Sequence, residues 1–361
     1  MRSRSSLAGG SGQGLASGQA RVLIVDDSAV ARTVLGRMVD ATERFAVVAS
    51  LPDARSALAY LRANAVDLIL LDVEMPGVDG IAALPDLVAA SKGARVLIVS
   101  SMSDARAAVA VQALALGAAD TLPKPGIGTF AGRFADVLKE RMERLLDAPL
   151  EGRRVAGPMA LRPRNPALPD AFDVVAIGAS TGGIHALGQL LRAIPASFPV
   201  PILVTQHLPV SFMGYFAAQL AVLASRPAEV ATDHVPLRPG RIIVAPGNAH
   251  MRTARVGNGV TIRLSHERAP SGCMPSIDPM FTSVGETFGA RAIGVVLSGM
   301  GRDGSIGARD MVDAGACVVV QDQASSVVWG MPGAVATAGG ASAILPPDEI
   351  GRLIASRRTP A

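Results

Sequence analysis

Three acidic residues stand directly behind two short apolar runs of this chain: Asp26 and Asp27 after VLIV, and Asp72 after LILL. If those runs are strands of one parallel sheet, the carboxylates meet at its carboxyl edge, where open α/β sheets bind ligands. Clustered like charges repel, and a hard divalent cation that keeps several waters, such as Mg²⁺, makes the cluster tolerable. Ser100, closing VLIVS, and Lys124, in TLPKP, bring a hydroxyl and an ammonium to the same edge. The set suits phosphoryl transfer. Asp72 is the best-placed nucleophile, and the cation and Lys124 neutralise the equatorial oxygens. Singly, a strand-end aspartate is more often a helix cap and a Lys-Pro pair a turn. The joint supply from several strand ends carries the reading.

A second constellation lies further along. Residues 178–183 read GASTGG between an apolar run and a helical stretch, the G-x-S-x-G pattern of a nucleophile on a sharp turn. Ser180 would stand beside a helix N-terminus, where amides including that of Thr181 stabilise a developing oxyanion. Such a turn can also cradle a phosphate or dinucleotide, but the spacing is not G-x-G-x-x-G and there is no Gly-Lys-Ser ending. Of the five histidines, His207 alone directly follows an apolar strand, ILVTQ, and is the best general base. Asp303, in LSGMGRDGSIG, supplies a carboxylate to fix the imidazole tautomer. The order Ser, His, Asp differs from the Ser, Asp, His of α/β-hydrolases, so that analogy extends to the turn and not to topology. His185 falls in the helix after the turn, where it packs or caps. His234 and His266 fall in loops, and His250 follows a Pro-Gly turn within possible reach of substrate. A metal-dependent hydrolase using His207, His250 and His266 would need a short ligand spacing such as H-E-x-x-H, which is missing.

Both constellations require strands that end side by side. Apolar runs at 22–25, 46–49, 68–71, 96–99 and 120–122 alternate with helical patterns at 29–39, 53–63, 81–91, 104–116 and 130–146. Right-handed crossovers then give an open five-stranded sheet covered on both faces. Residues 147–170 are rich in Pro, Arg and Ala without a period and read as a linker. Strands at 174–177, 202–205, 242–245, 262–264, 293–297 and 317–320, several separated by helices, predict a second, larger doubly wound domain over 171–361. Residues 1–20, rich in Ser and Gly, read as a disordered tail ahead of a first domain over 21–146.

Bulk composition narrows the function classes. The chain has 361 residues, enough for two cores, and 49% are apolar. No apolar run is long enough to cross a bilayer and no secretory pattern opens the chain, so a cytoplasmic protein without membrane insertion is expected. The net charge is +4, but aromatics are only 3% and no basic run interleaves with them, which argues against nucleic acid. Cys273 and Cys317 lack the second pair that a disulfide framework or zinc set needs, and are expected to be reduced thiols.

LIVDDS, LLDVEMPGVDG, VLIVSS and TLPKP resemble the receiver domains of bacterial two-component response regulators. That resemblance implies a flavodoxin-like fold with Asp72 as the phosphorylated residue. Asp27 and the Glu74 main-chain carbonyl would join Asp72 as Mg²⁺ ligands, Asp26 would assist through water, and Ser100 and Lys124 would sense the phosphoryl group. The position three before the lysine, often aromatic in receivers, is Thr121, which argues against coupling through a rotating ring. Further on, VVAIGASTGGIHAL, VTQHLPVSFM, IIVAPGNAHM, PSIDPMF, VVLSGMGRDGSIGARDM and VWGMPGAV resemble the chemotaxis protein-glutamate methylesterase (CheB) family. It implies a Rossmann-like catalytic domain with Ser180 as nucleophile, His207 as base, Asp303 as orienting carboxylate, and Thr181 and Met300 on the oxyanion side. The implied activity is a carboxylic ester hydrolase acting on methylated receptor glutamates, with deamidation of glutamines beside it and no metal in the esterase step. The implied partners are methyl-accepting chemotaxis receptors and a histidine kinase as phosphodonor.

Overall fold

The computed structural model describes residues 18–75, 80–100, 104–124, 131–146, 169 and 171–357. The linker assigned to 147–170, save Pro169, and most of the tail assigned to 1–20 lie outside them. The first domain alternates β1 (Ala20–Val25), α1 (Ala29–Asp40), β2 (Phe45–Leu51), α2 (Ala54–Ala63), β3 (Leu68–Leu71), α3 (Gly80–Ala90), β4 (Arg95–Ser100), α4 (Asp104–Ala115), β5 (Asp120–Pro123) and α5 (Ala131–Leu146). Its strands form one parallel sheet in the order β2-β1-β3-β4-β5. The two strands that carry the acidic residues, β1 and β3, are therefore neighbours, with Leu23 opposite Ile69 and Val25 opposite Leu71. β3 is buried throughout and β1 from Val22 on, as expected of strands covered by helices on both faces. Ser28 caps α1, accepting from the Ala31 amide at 3.2 Å, and so starts the helix just behind the aspartates.

The second domain runs β6 (Val174–Ala179), α6 (Gly183–Arg192), β7 (Ile202–Gln206), α7 (Val210–Ala224), β8 (Ala228–Val230), β9 (Ile242–Val244), β10 (His250–Val256), β11 (Gly259–Ser265), α8 (Ile277–Phe288), β12 (Ala292–Val296), α9 (Ser305–Asp313), β13 (Cys317–Gln321), α10 (Gly330–Thr337), β14 (Ala343–Leu345) and α11 (Pro347–Ala355). Seven strands make one parallel sheet in the order β14-β13-β12-β6-β7-β9-β8. The expected strand around 262–264 is a correction: it belongs to β11, which pairs antiparallel with β10 in a separate hairpin. Alternation sorts the strand residues between the faces. Val175, Ile177 and Val204 pack with Leu187 of α6 and Phe216 of α7, whereas Val174, Leu203 and Val296 pack with Phe281 of α8 and Met311 of α9.

Strand order reverses at β6: the chain first builds outward through β7 and later returns to lay β12 on the other side. The crevice at this switch point lies between the ends of β6, β7 and β12. Gly178, in β6, admits the start of α8 there, since a Cβ would fall 2.6 Å from Cγ2 of Ile277. The two domains also touch. α4 packs on α7 and α6, and buried side chains of the first domain, Leu114 among them, share one apolar cluster with Leu187 and Phe216.

Candidate active site and acidic pocket

Ser180 follows β6 directly, and two glycines then turn the chain into α6. Gly182 takes φ +75°, a left-handed conformation that only glycine adopts without strain, and a Cβ there would sit 2.4 Å from that of Val327. The turn is tied at both ends: the Ser180 amide donates to the Ser298 carbonyl at 3.0 Å, and the Ser180 carbonyl accepts from the Gly183 amide at 2.8 Å. Buried Gln206 adds a third tie, its Nε2 donating to the Ser180 carbonyl at 2.9 Å. The turn is thus held by its backbone, which leaves the serine hydroxyl to His207.

His207 caps the end of β7 and bridges the other two side chains. Its Nδ1 is 3.1 Å from Ser180 Oγ and its Nε2 is 2.7 Å from Asp303 Oδ2. Asp303 comes from the loop between β12 and α9 and is only 2% exposed. Beyond His207, it accepts from Ser276 Oγ at 2.6 Å on Oδ1 and from the Ile277 amide at 2.8 Å on Oδ2. Burial by itself would raise this carboxyl, but the donors from His207, Ser276 and Ile277 outweigh it and hold it down at about 2. Burial would lower His207, and the hydrogen bond to Asp303, with Cys273 beside it, carries it up to about 9. Asp278, buried near Asp303, is pushed up to about 6 by desolvation and by that neighbouring carboxylate, against the pull of the Gly307 amide at 2.8 Å.

All three residues expected to form the triad therefore meet at one rim. Thr181 lies next to the serine, its carbonyl accepting from Ser298 Oγ at 2.7 Å. Met300, 42% exposed, lines a cleft of about 560 Å³ together with Ser271, Cys273, Arg302, Asp303 and Ile306. Ser276 is the residue that sequence reasoning missed: it falls inside PSIDPMF, yet nothing in the spacing announces a donor to a carboxylate. His250, expected within reach of substrate, has both ring nitrogens engaged inside the protein. It is buried, with Nε2 donating to the Glu267 carbonyl at 2.7 Å and Nδ1 accepting from the Ser276 amide at 2.9 Å, so it positions the residue that grips Asp303. His266 Nδ1 bonds the Asn248 carbonyl at 3.0 Å, and His185 Nδ1 bonds the Ala115 carbonyl of the other domain at 3.2 Å. His234 sits exposed beside Asp233.

In the first domain, ligand oxygens of Asp26, Asp27 and Asp72 lie within 4.8 Å of one another. Asp26 and Asp72 are buried while Asp27 is exposed, so the cluster opens to solvent on one side. Lys124 reaches in behind β5 and donates to Asp26 Oδ2 at 2.7 Å and Asp72 Oδ2 at 2.5 Å. Burial raises the Asp72 carboxyl, opposed by the bonds from Lys124 and from the Glu74 amide at 3.0 Å. Ser100 ends β4 beside them, its carbonyl accepting from the Lys124 amide at 2.7 Å. An all-oxygen donor set with one open side fits a hard cation such as Mg²⁺.

The comparisons agree with this geometry domain by domain. Residues 175–354 match the CheB methylesterase family and residues 22–128 the response regulator receiver domain. The protein-glutamate methylesterase/protein-glutamine glutaminase of group 2 operon of Bradyrhizobium diazoefficiens is 38% identical, over 97% of this chain and 98% of that protein. Protein-glutamate methylesterase/protein-glutamine glutaminase 2 of Caulobacter vibrioides is 41% identical, over 93% of this chain and 98% of that protein. Among solved structures, the CheB methylesterase catalytic domain of Thermotoga maritima superposes with a TM-score of 0.50 at 31% identity, covering 51% of this chain and 97% of that one. A serine–imidazole–carboxylate relay behind a receiver, in a chain this similar to those relatives from end to end, is a member of the CheB protein-glutamate methylesterase family.

Proposed function

We propose that the chain removes methyl groups from glutamate side chains of chemotaxis receptors by serine catalysis at Ser180. The observation that carries this is the unbroken relay from Ser180 Oγ through His207 to Asp303, at 3.1 and 2.7 Å. His207 Nδ1 takes the hydroxyl proton as Oγ attacks the ester carbonyl, and Asp303 stabilises the imidazolium that forms. The tetrahedral oxyanion falls on the side of Thr181 and Met300. Collapse expels methanol, which takes its proton from His207, and water then frees the glutamate by the reverse use of the same base. With a glutamine side chain the leaving group is ammonia, a poorer one, so deamidation runs by the same steps more slowly.

The receiver sets the rate. Asp72 attacks the phosphoryl group of a kinase, and Lys124 exchanges its carboxylate partners for phosphoryl oxygens, with the Ser100 hydroxyl as a further donor. Asp27, Asp72 and the Glu74 carbonyl would hold Mg²⁺, which when bound neutralises charge on the transferring group. The Ala119 carbonyl, at the start of β5, accepts from the Gly182 amide at 3.1 Å. The domain that takes the phosphoryl group is thereby bonded to the nucleophile turn itself, and phosphorylation shifts the pair toward an open arrangement. The site of action is the cytoplasmic face of receptor membranes, and among the described residues no helix is long and apolar enough to cross one.

The test is methanol release from methyl-labelled receptor membranes with a small phosphodonor, wild type against Ser180→Ala. Release by the wild type that falls to background in the variant supports the mechanism. Equal release by both sinks it, and no release by either favours a receptor-binding module without turnover.

A further inference from the structure

Cys273 lies on the loop between β11 and α8, half-buried and with a free thiol, in the cleft that also holds Asp303 and Met300. Ester hydrolysis makes no use of it. Its Sγ, a ring nitrogen of His207 and a carboxylate oxygen of Asp303 nevertheless all lie within 4.8 Å of one another. Thiolate, imidazole and carboxylate are the ligand types that Zn²⁺ takes, at about 2.3, 2.0 and 2.1 Å. In a tetrahedron of such bonds the donors stand roughly 3.3–3.6 Å apart, so the sulfur must draw in while His207 Nε2 and Asp303 Oδ2, now 2.7 Å apart, open by roughly 0.6 Å to admit the cation. Cys273 stands on the loop wall of the cleft, next to Gly272 at φ +72°, with its sulfur 3.9 Å from the Ser271 carbonyl.

We infer that His207, Cys273 and Asp303 form an inhibitory site for a borderline-soft divalent cation of the Zn²⁺ class, with the fourth position open to water in the cleft. A cation bridging His207 and Asp303 takes Nε2, the nitrogen that faces the carboxylate at 2.7 Å. The imidazole then carries its one proton on Nδ1, pointed at Ser180 Oγ, and has no lone pair to accept the serine proton. As the metal bonds form, Cys273 loses its thiol proton and the ring its Nε2 proton to solvent, and the one proton left on the imidazole is that on Nδ1. Removing the cation restores the relay, so the inhibition is reversible. Donor chemistry separates this site from the acidic pocket of the receiver, whose three carboxylates favour a hard cation. Cys317 is buried in β13 and offers Cys273 no disulfide partner within the chain.

Binding of the cation stands on the geometry alone, whereas its inhibitory effect rests on the esterase reading of Ser180. The experiment separates the two. Full-length protein is held in excess Mg²⁺, which occupies the acidic pocket, and titrated with Co²⁺ as a spectroscopic stand-in for Zn²⁺. A thiolate-to-cobalt charge-transfer band should appear in the wild type, saturate near one equivalent, vanish on adding Zn²⁺, and be missing from Cys273→Ser. In parallel, Zn²⁺ should lower methanol release by the wild type tenfold or more at a concentration where Cys273→Ser keeps most of its own metal-free rate, and a chelator should reverse the loss. No thiolate band in the wild type, or equal Zn²⁺ sensitivity in the two proteins, overturns the site. A thiolate band in a protein that releases no methanol even without metal leaves the site standing and removes the esterase reading instead.

Discussion

At the carboxyl edge of the receiver sheet, two buried aspartates share a single ammonium, and a third carboxylate stands exposed beside them. At the same edge of the larger sheet, one buried aspartate has three donors of its own, from His207, Ser276 and Ile277. The same topology thus supports opposite electrostatic solutions. Excess negative charge in the receiver is consistent with a site for a hard cation such as Mg²⁺. In the esterase, Asp303 is held by its donors at 2.7, 2.6 and 2.8 Å, and the first of them is the imidazole of His207. Carboxylates that outnumber their donors suit a hard cation, whereas a carboxylate matched by donors suits the orientation of a neighbouring ring.

Removing the charge of Asp303 tests the saturated site most severely. Asp303→Asn keeps the shape but presents an amide to His207, which favours the tautomer with its proton toward Ser180. The expected loss is about 10⁴-fold in kcat with little change in KM, read from methanol release. A loss of tenfold or less would mean that His207 is oriented by something else.

The pH profile comes next. His207 must be neutral to accept a proton, and it is held at about 9, so the rate should climb roughly tenfold per unit from pH 6.5 and level off near 9. Stability runs the other way. The folded state holds this proton above the ordinary value of 6.5, so the stabilisation from His207 is full below pH 6.5 and is lost as pH rises through about 9. Asp303, held at about 2 against an ordinary 3.8, contributes fully above pH 3.8 and loses that contribution as pH falls through about 2. A rate already flat between pH 7 and 9 contradicts a raised imidazole.

For the open site the counterpart is Asp72→Asn. It removes the proposed acceptor, so a phosphodonor that speeds the wild type about tenfold, a shift of about 1.4 kcal/mol in the domain equilibrium, should leave the variant at its basal rate. Stimulation that survives in Asp72→Asn would place the acceptor elsewhere.

How much of this was legible in the sequence follows the same divide. The strands that carry chemistry are continuous apolar runs, because both faces are covered, and they stand out as VLIV, LILL and ILVTQ. The edge strands β8 and β14 are three residues each and only partly buried, so no comparable run marks them. β10 and β11 pair as a hairpin with several of their residues only partly buried, and the run within β11 looked like one more strand of the main sheet. Ser180, His207 and Asp303 each end or follow a strand, where their types are conspicuous. Ser276 and His250 work through long-range closure: a buried histidine accepts from the Ser276 amide, and the Ser276 hydroxyl then reaches Asp303. Nothing local encodes that pairing, because residues far apart in sequence become partners only after the sheet assembles.

The smallest expected effect probes where the two sites communicate. His185, in α6 behind the nucleophile turn, meets the Ala115 carbonyl at the end of α4, and burial keeps its imidazole below the ordinary range, hence neutral at pH 7. A neutral hydrogen bond of this kind contributes about 0.5–1.5 kcal/mol, so His185→Ala should raise the basal rate of the full chain by about 2- to 10-fold through weaker docking of the receiver. The phosphodonor-stimulated rate should stay where it is, because docking is already released there. In the isolated segment 171–361 the same substitution should change nothing, since Ala115 is no longer present. An equal change in the segment would show that His185 shapes the nucleophile turn directly, and the bond to Ala115 would then carry no regulatory weight.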